Sequence, residues 1–343
     1  MPASFAVLLY VNRSGSTLLS RLLSDGLGDI YVFPEMSFPL DIIRREAAVG
    51  RLGNADLIDI LSADPRLDAH ALDATALDTL CDDYHSYGLR GLLTAIAGKR
   101  TGRSPAVIVI KLESYLYSID ALDASLGPIR VMHITRDVRG VASSMLKTPV
   151  PEKPGFNMAR DDIVYVARHW SRYLNRVGQL SRDVLWIRYE DLVANPGPVL
   201  TRSARFLDLE VQGVEAPAAE SRYALSSLDL ALHPKVFQAP DATRLQGWKN
   251  ELTQTQISVI SRLSRDDLFA QGYETAEVRK DDFAYAVFYY RYVLHSLLII
   301  RHYGRTAAQL LKAPGGFSLL IRKLIDRIRM PAPHRIAGNS RDV

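Results

Sequence analysis

The chain has 343 residues, 48% hydrophobic and 23% charged, a composition typical of a folded protein with a substantial core. Its single cysteine excludes an intrachain disulfide and a cysteine-built metal site, and predicts a reducing compartment. The net charge of +4 is uneven, because residues 301–343 hold nine Lys or Arg and two Asp, a local charge of +7. The remaining chain is therefore −3, which gives no indication of a nucleic-acid partner.

Short apolar runs alternate with helical patterns along most of the chain. The runs span residues 5–11, 29–33, 106–111, 129–135 and 184–189. Strands this apolar are usually buried on both faces, so they predict an α/β fold with a mostly parallel sheet between two layers of helices. No leader or membrane anchor precedes the first run, which predicts a cytoplasmic protein. Ligands of such sheets bind beyond the carboxyl ends of the strands, so the residues after each strand are the functional candidates.

The first candidate site follows the strand FAVLLYV at residues 5–11. The next residues include Arg13, Ser14, Gly15, Ser16 and Thr17, and a leucine-rich helix follows them. A strand, a glycine-containing turn and a helix N-terminus form an anion-binding arrangement, since backbone N–H groups and the helix dipole point at the ligand. The motif lacks the G-x-x-x-x-G-K-[ST] pattern of nucleoside triphosphatases, which disfavours a kinase or an ATPase.

An acidic stretch rich in Ala, Leu and Asp, residues 52–83, follows the second strand. We interpret it as part of a helical insertion, about residues 38–100, that lies on the acceptor side of the site. The alternative is that these carboxylates simply form a solvated helical face.

A second junction, HITRDVRGVASSML at residues 133–146, places Arg136 at a strand end and Ser144 eight residues later. Together with RSGST, this junction resembles the sulfotransferases that use 3′-phosphoadenosine 5′-phosphosulfate (PAPS). The resemblance implies a P-loop-type three-layer fold in which the loop at residues 13–17 cradles the 5′-phosphosulfate. It also implies that Arg136 and Ser144 hold the 3′-phosphate and that 3′-phosphoadenosine 5′-phosphate (PAP) is the product. Because a sulfuryl group carries less negative charge than a phosphoryl group, we expect the catalytic cations Arg13 and Lys111 to replace Mg²⁺, so that no metal is required.

The similarity extends over about residues 5–275, through the segments WIRYEDLVANPGPVLTRSARFLDL (186–209) and GWKNELT (247–253). In the cytosolic branch of the family an R-K-G stretch before the second segment contacts the 3′-phosphate. ATRLQG reproduces it in part, and the resemblance implies that contact for Arg244.

The resemblance also suggests the catalytic residues. The cytosolic branch has a histidine after the strand at 106–111, where this chain reads IKLESYLYS. The protein-tyrosine branch has an R-S-G-T-T-L loop followed by a glutamate, and here RSGSTL is followed by VFPEMSF. Glu35 is therefore the predicted general base and Lys111 the predicted partner of the transferring group. Glu113 is the alternative base; Glu35 could instead start a helix, and Lys111 could instead reach solvent.

The C-terminal part, residues 281–343, lies outside the resemblance and predicts a basic helical extension to a sulfotransferase domain at 1–280. Residues 283–300 are apolar but interrupted by Arg291 and His295, which favours a helix packed on the core or in a homodimer over a membrane span. Residues 316–330 are basic and amphipathic, a pattern that suits either an anionic membrane surface or an ordinary docking helix.

The sequence thus predicts a PAPS-dependent enzyme that sulfates a hydroxyl of a glycan, lipid, peptide or secondary metabolite. Two alternatives remain open. One is a small-molecule kinase on the same P-loop-type sheet, and the other is a non-catalytic nucleotide-binding protein associated with membranes.

Overall fold

The computed structural model describes residues 3–70, 74–150, 155–212, 221–233, 236–238, 241–274 and 282–302. The strands are β1 (Ser4–Tyr10), β2 (Ile30–Glu35), β3 (Val107–Lys111), β4 (Ile129–Thr135) and β5 (Val184–Arg188). The helices are α1 (Ser16–Gly26), α2 (Phe38–Val49), α3 (Asn54–Ser62), α4 (Ala74–Thr101), α5 (Ile119–Leu126), α6 (Val138–Lys147), α7 (Ile163–Gly178), α8 (Tyr189–Ala194), α9 (Pro196–Leu207), α10 (Ser227–Leu232), α11 (Trp248–Glu251), α12 (Gln254–Leu263), α13 (Arg265–Ala270) and α14 (Asp282–His302).

The chain forms two compact units. The first comprises Met1–Arg136 and Ser181–Ala242, and the second comprises Asp137–Leu180 and Thr243–Val343. The predicted division into 1–280 and 281–343 stays a prediction.

The first unit contains a five-stranded sheet in the order β2-β3-β1-β4-β5, and every pair of neighbours is parallel. Each strand lies within two residues of its predicted bounds. Along β1, alternate side chains face opposite sides: Ala6, Leu8 and Tyr10 share one core with the leucines of α1 and α9. On the other side, the guanidinium carbon of Arg90 in α4 lies 5.1 Å from the ring centroid of Phe5. Helices therefore cover both faces, and the predicted α/β fold with a central parallel sheet is confirmed.

The insertion of the first unit consists of α2, α3, a 3₁₀ helix (Leu67–His70) and α4, which is kinked at Gly88. Its acidic side chains lie mostly at the surface, with Asp64 as a buried exception. The Asp64 carboxylate accepts hydrogen bonds from the backbone N–H groups of Ser37 (2.9 Å) and Phe38 (3.3 Å). It therefore satisfies donors at the start of α2 that have no partner within the helix.

The second unit is helical. Trp170 of α7 is fully buried, as its position on an apolar stripe predicts. α14 packs on α7 and α12, where the Arg168 guanidinium donates to the Tyr289 hydroxyl over 3.0 Å and Arg262 covers the ring of Tyr285. Its outer face leaves Phe283 exposed.

Among the helices of the described ranges, none combines the length and the apolar character that crossing a bilayer requires. The predicted basic helix at 316–330 lies outside the described residues. The predicted homodimer stays a prediction.

Candidate active site

Every strand of the sheet brings one notable side chain to the same edge. Because all five strands are parallel, their carboxyl ends meet there, with neighbouring strands about 4.8 Å apart. In the order of the strands, these side chains are Glu35 at the end of β2, Lys111 at the end of β3, Arg13 just after β1, Arg136 just after β4, and Tyr189 just after β5. The predicted residues from four separate sequence motifs are thus brought into one row, and Tyr189 joins them.

The loop after β1 turns sharply before α1 begins. The Ser14 N–H donates to the Val11 carbonyl over 3.1 Å, and both Arg13 (φ 70°) and Gly15 (φ 93°) are in the left-handed region. A positive φ is unusual for arginine, and such strain is concentrated at functional sites. Ser14 is completely buried, and within the described structure its hydroxyl has no hydrogen-bond partner. The turn therefore presents an unused donor beside the N-terminus of α1.

Tyr189 packs directly on this loop. A Cβ placed on Gly15 would lie 2.3 Å from Cδ2 of the Tyr189 ring, so the backbone can approach the ring only because the residue is glycine. The guanidinium carbon of Arg136 lies 4.5 Å from the centroid of the same ring. The sequence pattern around Tyr189 predicts no role for this residue.

Arg13 and Arg136 lie at one corner of the edge. Nη1 of Arg136 donates to the backbone carbonyl oxygen of Arg13 over 3.3 Å. Burial, and then the nearby charge of Arg136, lower the pKa of Arg13, although an arginine with a pKa below its usual value is still protonated at neutral pH. Two cations this close favour an anion that touches both.

Ser144 and Arg244, the other predicted phosphate contacts, belong to the second unit. Ser144 is half-buried on α6, and Arg244 lies in a 3₁₀ helix, Ala242–Gln246. Their contact with the phosphate stays a prediction. In the same unit, buried Trp248 packs under Arg139, whose guanidinium carbon lies 4.1 Å from the ring centroid.

Lys111 and Glu35 are neighbours on adjacent strands, paired in register after an irregularity in β2. Lys111 is only 2% exposed, so it does not reach solvent, and its ammonium lies 5.4 Å from the ring centroid of Tyr223. Burial lowers the pKa of Lys111 to about 8, while the charges of Glu35 and Asp229 act in the opposite direction. Glu35 is the last residue of its strand and does not start a helix, since α2 begins at Phe38.

The Glu35 carboxylate has two partners, one on each oxygen. The Tyr10 hydroxyl donates to Oε1, and Nη2 of Arg66 donates to Oε2 over 2.9 Å. Glu113, the alternative base, accepts from the side-chain amide of Asn12 at the start of the loop. Both predicted bases therefore lie beside the first loop.

Besides Tyr189, three further residues of this site are not predicted from the sequence: Arg66, Asp229 and His233. Nε of Arg66 donates to Oδ1 of Asp229 over 2.9 Å, so Arg66 joins Asp229 to Glu35. His233 lies 3.3 Å from Nη1 of Arg13 through Nδ1, and 3.4 Å from the Thr17 hydroxyl through Nε2. No motif includes these residues, and Arg66 was hidden in an insertion notable only for its acidic character.

His233 is neutral at physiological pH. Burial, followed by the charges of Arg13 and Lys111, lowers its pKa to about 3. Because Arg13 can only donate, Nδ1 accepts from it, which leaves the proton on Nε2 to face Thr17. His233 therefore holds the Arg13 side chain in place without adding charge.

The sequence model of the sulfotransferase family matches residues 8–213, which is more than half of the chain and contains β2 to β5 and the end of β1. The chain belongs to the sulfotransferase family. Two solved structures support the fold of this sulfotransferase. The sulfotransferase domain from the curacin biosynthetic pathway is similar over 80% of this chain and 99% of that domain, with a TM-score of 0.51 and 20% identity.

The second structure is the sulfotransferase domain from the Synechococcus PCC 7002 olefin synthase. It is similar over 79% of this chain and 96% of that domain, with a TM-score of 0.50 and 16% identity. At these identities the likeness concerns the fold alone. No curated protein sequence matches this sulfotransferase. Within the described ranges, no three His, Cys, Asp or Glu side chains are grouped as a metal site would require.

Proposed function

We propose that this sulfotransferase moves a sulfuryl group from PAPS to an acceptor hydroxyl, giving a sulfate ester and PAP. The observation that supports this most strongly is the row of three cations on adjacent strand ends, Lys111, Arg13 and Arg136, around a loop of hydrogen-bond donors. Such a row matches an anionic group that is transferred at one strand end while a second phosphate is held at the next.

The groups of the loop suit a phosphosulfate. PAPS supplies a sulfuryl group already activated by its bond to the 5′-phosphate. The unused Ser14 hydroxyl, the Thr17 hydroxyl and the first N–H groups of α1 would hold that end, since all of them can donate. Arg136, one strand further along the edge, would hold the 3′-phosphate.

The residues of the row divide the chemistry between them. Glu35 accepts the hydroxyl proton as the acceptor oxygen bonds to sulfur. Lys111 and Arg13 offset the charge that the departing phosphate oxygen gains as its bond to sulfur breaks. Lys111 can do this only while protonated, and its pKa of about 8 allows it at neutral pH.

Ligand binding tests the proposal first. PAP should raise the melting temperature of the wild-type protein, ATP should not, and the Arg136→Ala variant should respond less to PAP. Stabilisation by ATP with magnesium, and not by PAP, would favour the kinase alternative.

Product formation tests the second alternative. PAPS is incubated with a panel of hydroxyl acceptors (an oligosaccharide, a glycolipid, a tyrosine peptide and a polyketide alcohol), and sulfated product is sought by mass spectrometry. PAP binding without product from any acceptor would favour the non-catalytic alternative. The acceptor class, the cytoplasmic location, the homodimer and contact of residues 316–330 with anionic membranes all stay proposals.

A further inference from the structure

Arg66 and Asp229 form a buried ion pair beside the predicted catalytic residues, although neither belongs to a sequence motif. The Arg66 guanidinium uses one nitrogen for each carboxylate: Nε donates to Asp229 and Nη2 to Glu35, both over 2.9 Å. The Asp229 side chain is only 7% exposed. Its second oxygen, Oδ2, is buried and has no hydrogen-bond partner within the described structure.

The pair is fixed from both sides. Ser226 caps α10 by accepting from the Asp229 N–H over 3.0 Å, and Asp68 accepts from the neighbouring Ser227 N–H over 2.9 Å. On the other side, Asp64 accepts from the Arg66 N–H over 3.0 Å. The backbone on each side of the ion pair is therefore tied down, so the directions of both side chains are set by the fold.

Lys111 is surrounded by these charges. Glu35 on the adjacent strand and Asp229 on α10 favour its charged form, whereas Arg66 from the insertion opposes it. Among the described residues, the aromatic ring of Tyr223 and neutral His233 also lie near the ammonium. Because burial strongly disfavours the ammonium, the balance between one cation and two carboxylates decides whether Lys111 stays protonated.

We propose that Arg66 and Asp229 are positioning residues of the transfer site: Arg66 aims the Glu35 carboxylate, and Asp229 both anchors Arg66 and keeps Lys111 charged. This inference rests on the proposed function for its catalytic meaning. It also gives the insertion a direct part in the transfer site, because the insertion supplies Arg66.

The test uses two near-isosteric changes with opposite electrostatic effects, measured as the pH dependence of kcat/KM, which reports the groups of the free enzyme. Asp229→Asn removes a charge that favours the Lys111 ammonium, so the fall of kcat/KM at high pH should move to lower pH by about one pH unit. Arg66→Met removes a cation that opposes it, so that fall should move to higher pH. Arg66→Met should also reduce kcat at its optimum about tenfold, because Glu35 loses its orienting partner.

Two further variants separate charge from folding. Arg66→Lys keeps the charge and should leave the pH profile close to wild type while kcat falls. Arg45→Met removes an exposed arginine of the same insertion, paired with Asp56 over 3.1 Å, and should change nothing. Shifts of the two pH profiles in the same direction, or no shift in either, would overturn the inference.

A readout that does not depend on catalysis separates the charge coupling from the proposed function. The titration of the Lys111 ε-carbon can be followed by ¹³C NMR, with the signal assigned by its loss in Lys111→Met. Opposite displacements of this titration in the two variants support the charge coupling even if no acceptor is sulfated, in which case the proposed function alone fails. An unchanged titration in both variants overturns the coupling even in an active enzyme.

Discussion

Arg136 donates a hydrogen bond to the backbone carbonyl of Arg13, so the ends of β1 and β4 share one cationic corner. The two residues are 123 positions apart in the chain, and the parallel pairing of β1 with β4 brings them together. We propose that a nucleotide with phosphates at both the 5′ and 3′ positions contacts both cations at this corner. The different duties proposed for the two arginines make them separable by mutation.

We expect Arg136→Ala to weaken PAP binding about tenfold or more, measured by calorimetry, because one charge-assisted contact to the 3′-phosphate is lost. Once PAPS is saturating, kcat should remain within a few-fold of wild type, since the contact proposed for Arg136 is with the 3′-phosphate, remote from the transferring group. Arg130→Ala is the matched control, because Arg130 lies near the opposite end of β4 and pairs with Asp208. Equal losses of PAP affinity in both variants would contradict the assignment.

Arg13→Ala should mainly lower kcat, with a smaller effect on PAP binding. Removing a donor that offsets charge in the transition state typically costs about 100-fold in kcat. The PAP affinity should fall less than it does in Arg136→Ala. The opposite pattern, with kcat retained and PAP binding abolished, would assign Arg13 to binding alone.

The pH dependence of kcat/KM should report Lys111, since this ratio reflects the groups of the free enzyme. With its pKa lowered to about 8, the ammonium is present below that pH and is lost as the pH rises through it, so kcat/KM should fall above about pH 8. Lys111→Arg should abolish this fall because arginine stays charged, although kcat itself should be lower. A wild-type profile that is flat to pH 9.5 would disprove the role of the ammonium.

Gly15→Ala should impair both stability and binding. The substitution places a side chain at φ 93° and against the Tyr189 ring, a combination that should cost about 1–3 kcal/mol or more. Adding Tyr189→Ala should restore part of the loss, because it removes the clash but not the backbone strain. Gly178→Ala is the control, since nothing lies within 4 Å of its added Cβ and its φ is not positive. Denaturant titration and PAP calorimetry measure the two effects.

As the pH is lowered, the free energy of unfolding should decrease before most of the carboxylates become protonated. Burial lowers the pKa of His70 and of His133 to about 4 and that of His233 to about 3. Below the ordinary histidine pKa of about 6.5, these histidines bind protons in the unfolded chain but stay neutral in the folded protein. Stability therefore falls between pH 6.5 and about 4. His133→Gln should make this decline shallower, and an unchanged decline in urea melts would argue against it.

The strands and the loop could be predicted from sequence because their signals are local. The apolar run that ends in RSGST predicts a buried strand, a turn and a helix start from neighbouring residues alone. Parallel pairing then predicts that Arg13, Lys111 and Arg136 share one edge, and the structure places them there. The role of Glu35 as a base remains a prediction, although the structure shows the hydrogen-bond partners of its carboxylate.

The tertiary structure alone revealed which other residues belong to the site: Arg66, Asp229, His233 and Tyr189. Arg66 meets Asp229 across 163 positions, and His233 meets Arg13 across 220. No periodicity or spacing encodes these contacts, because the side chains come together only when distant parts of the chain have folded against one another. Local chemistry therefore determined which anion-binding groups this protein has, whereas packing determined which neighbours control their charge.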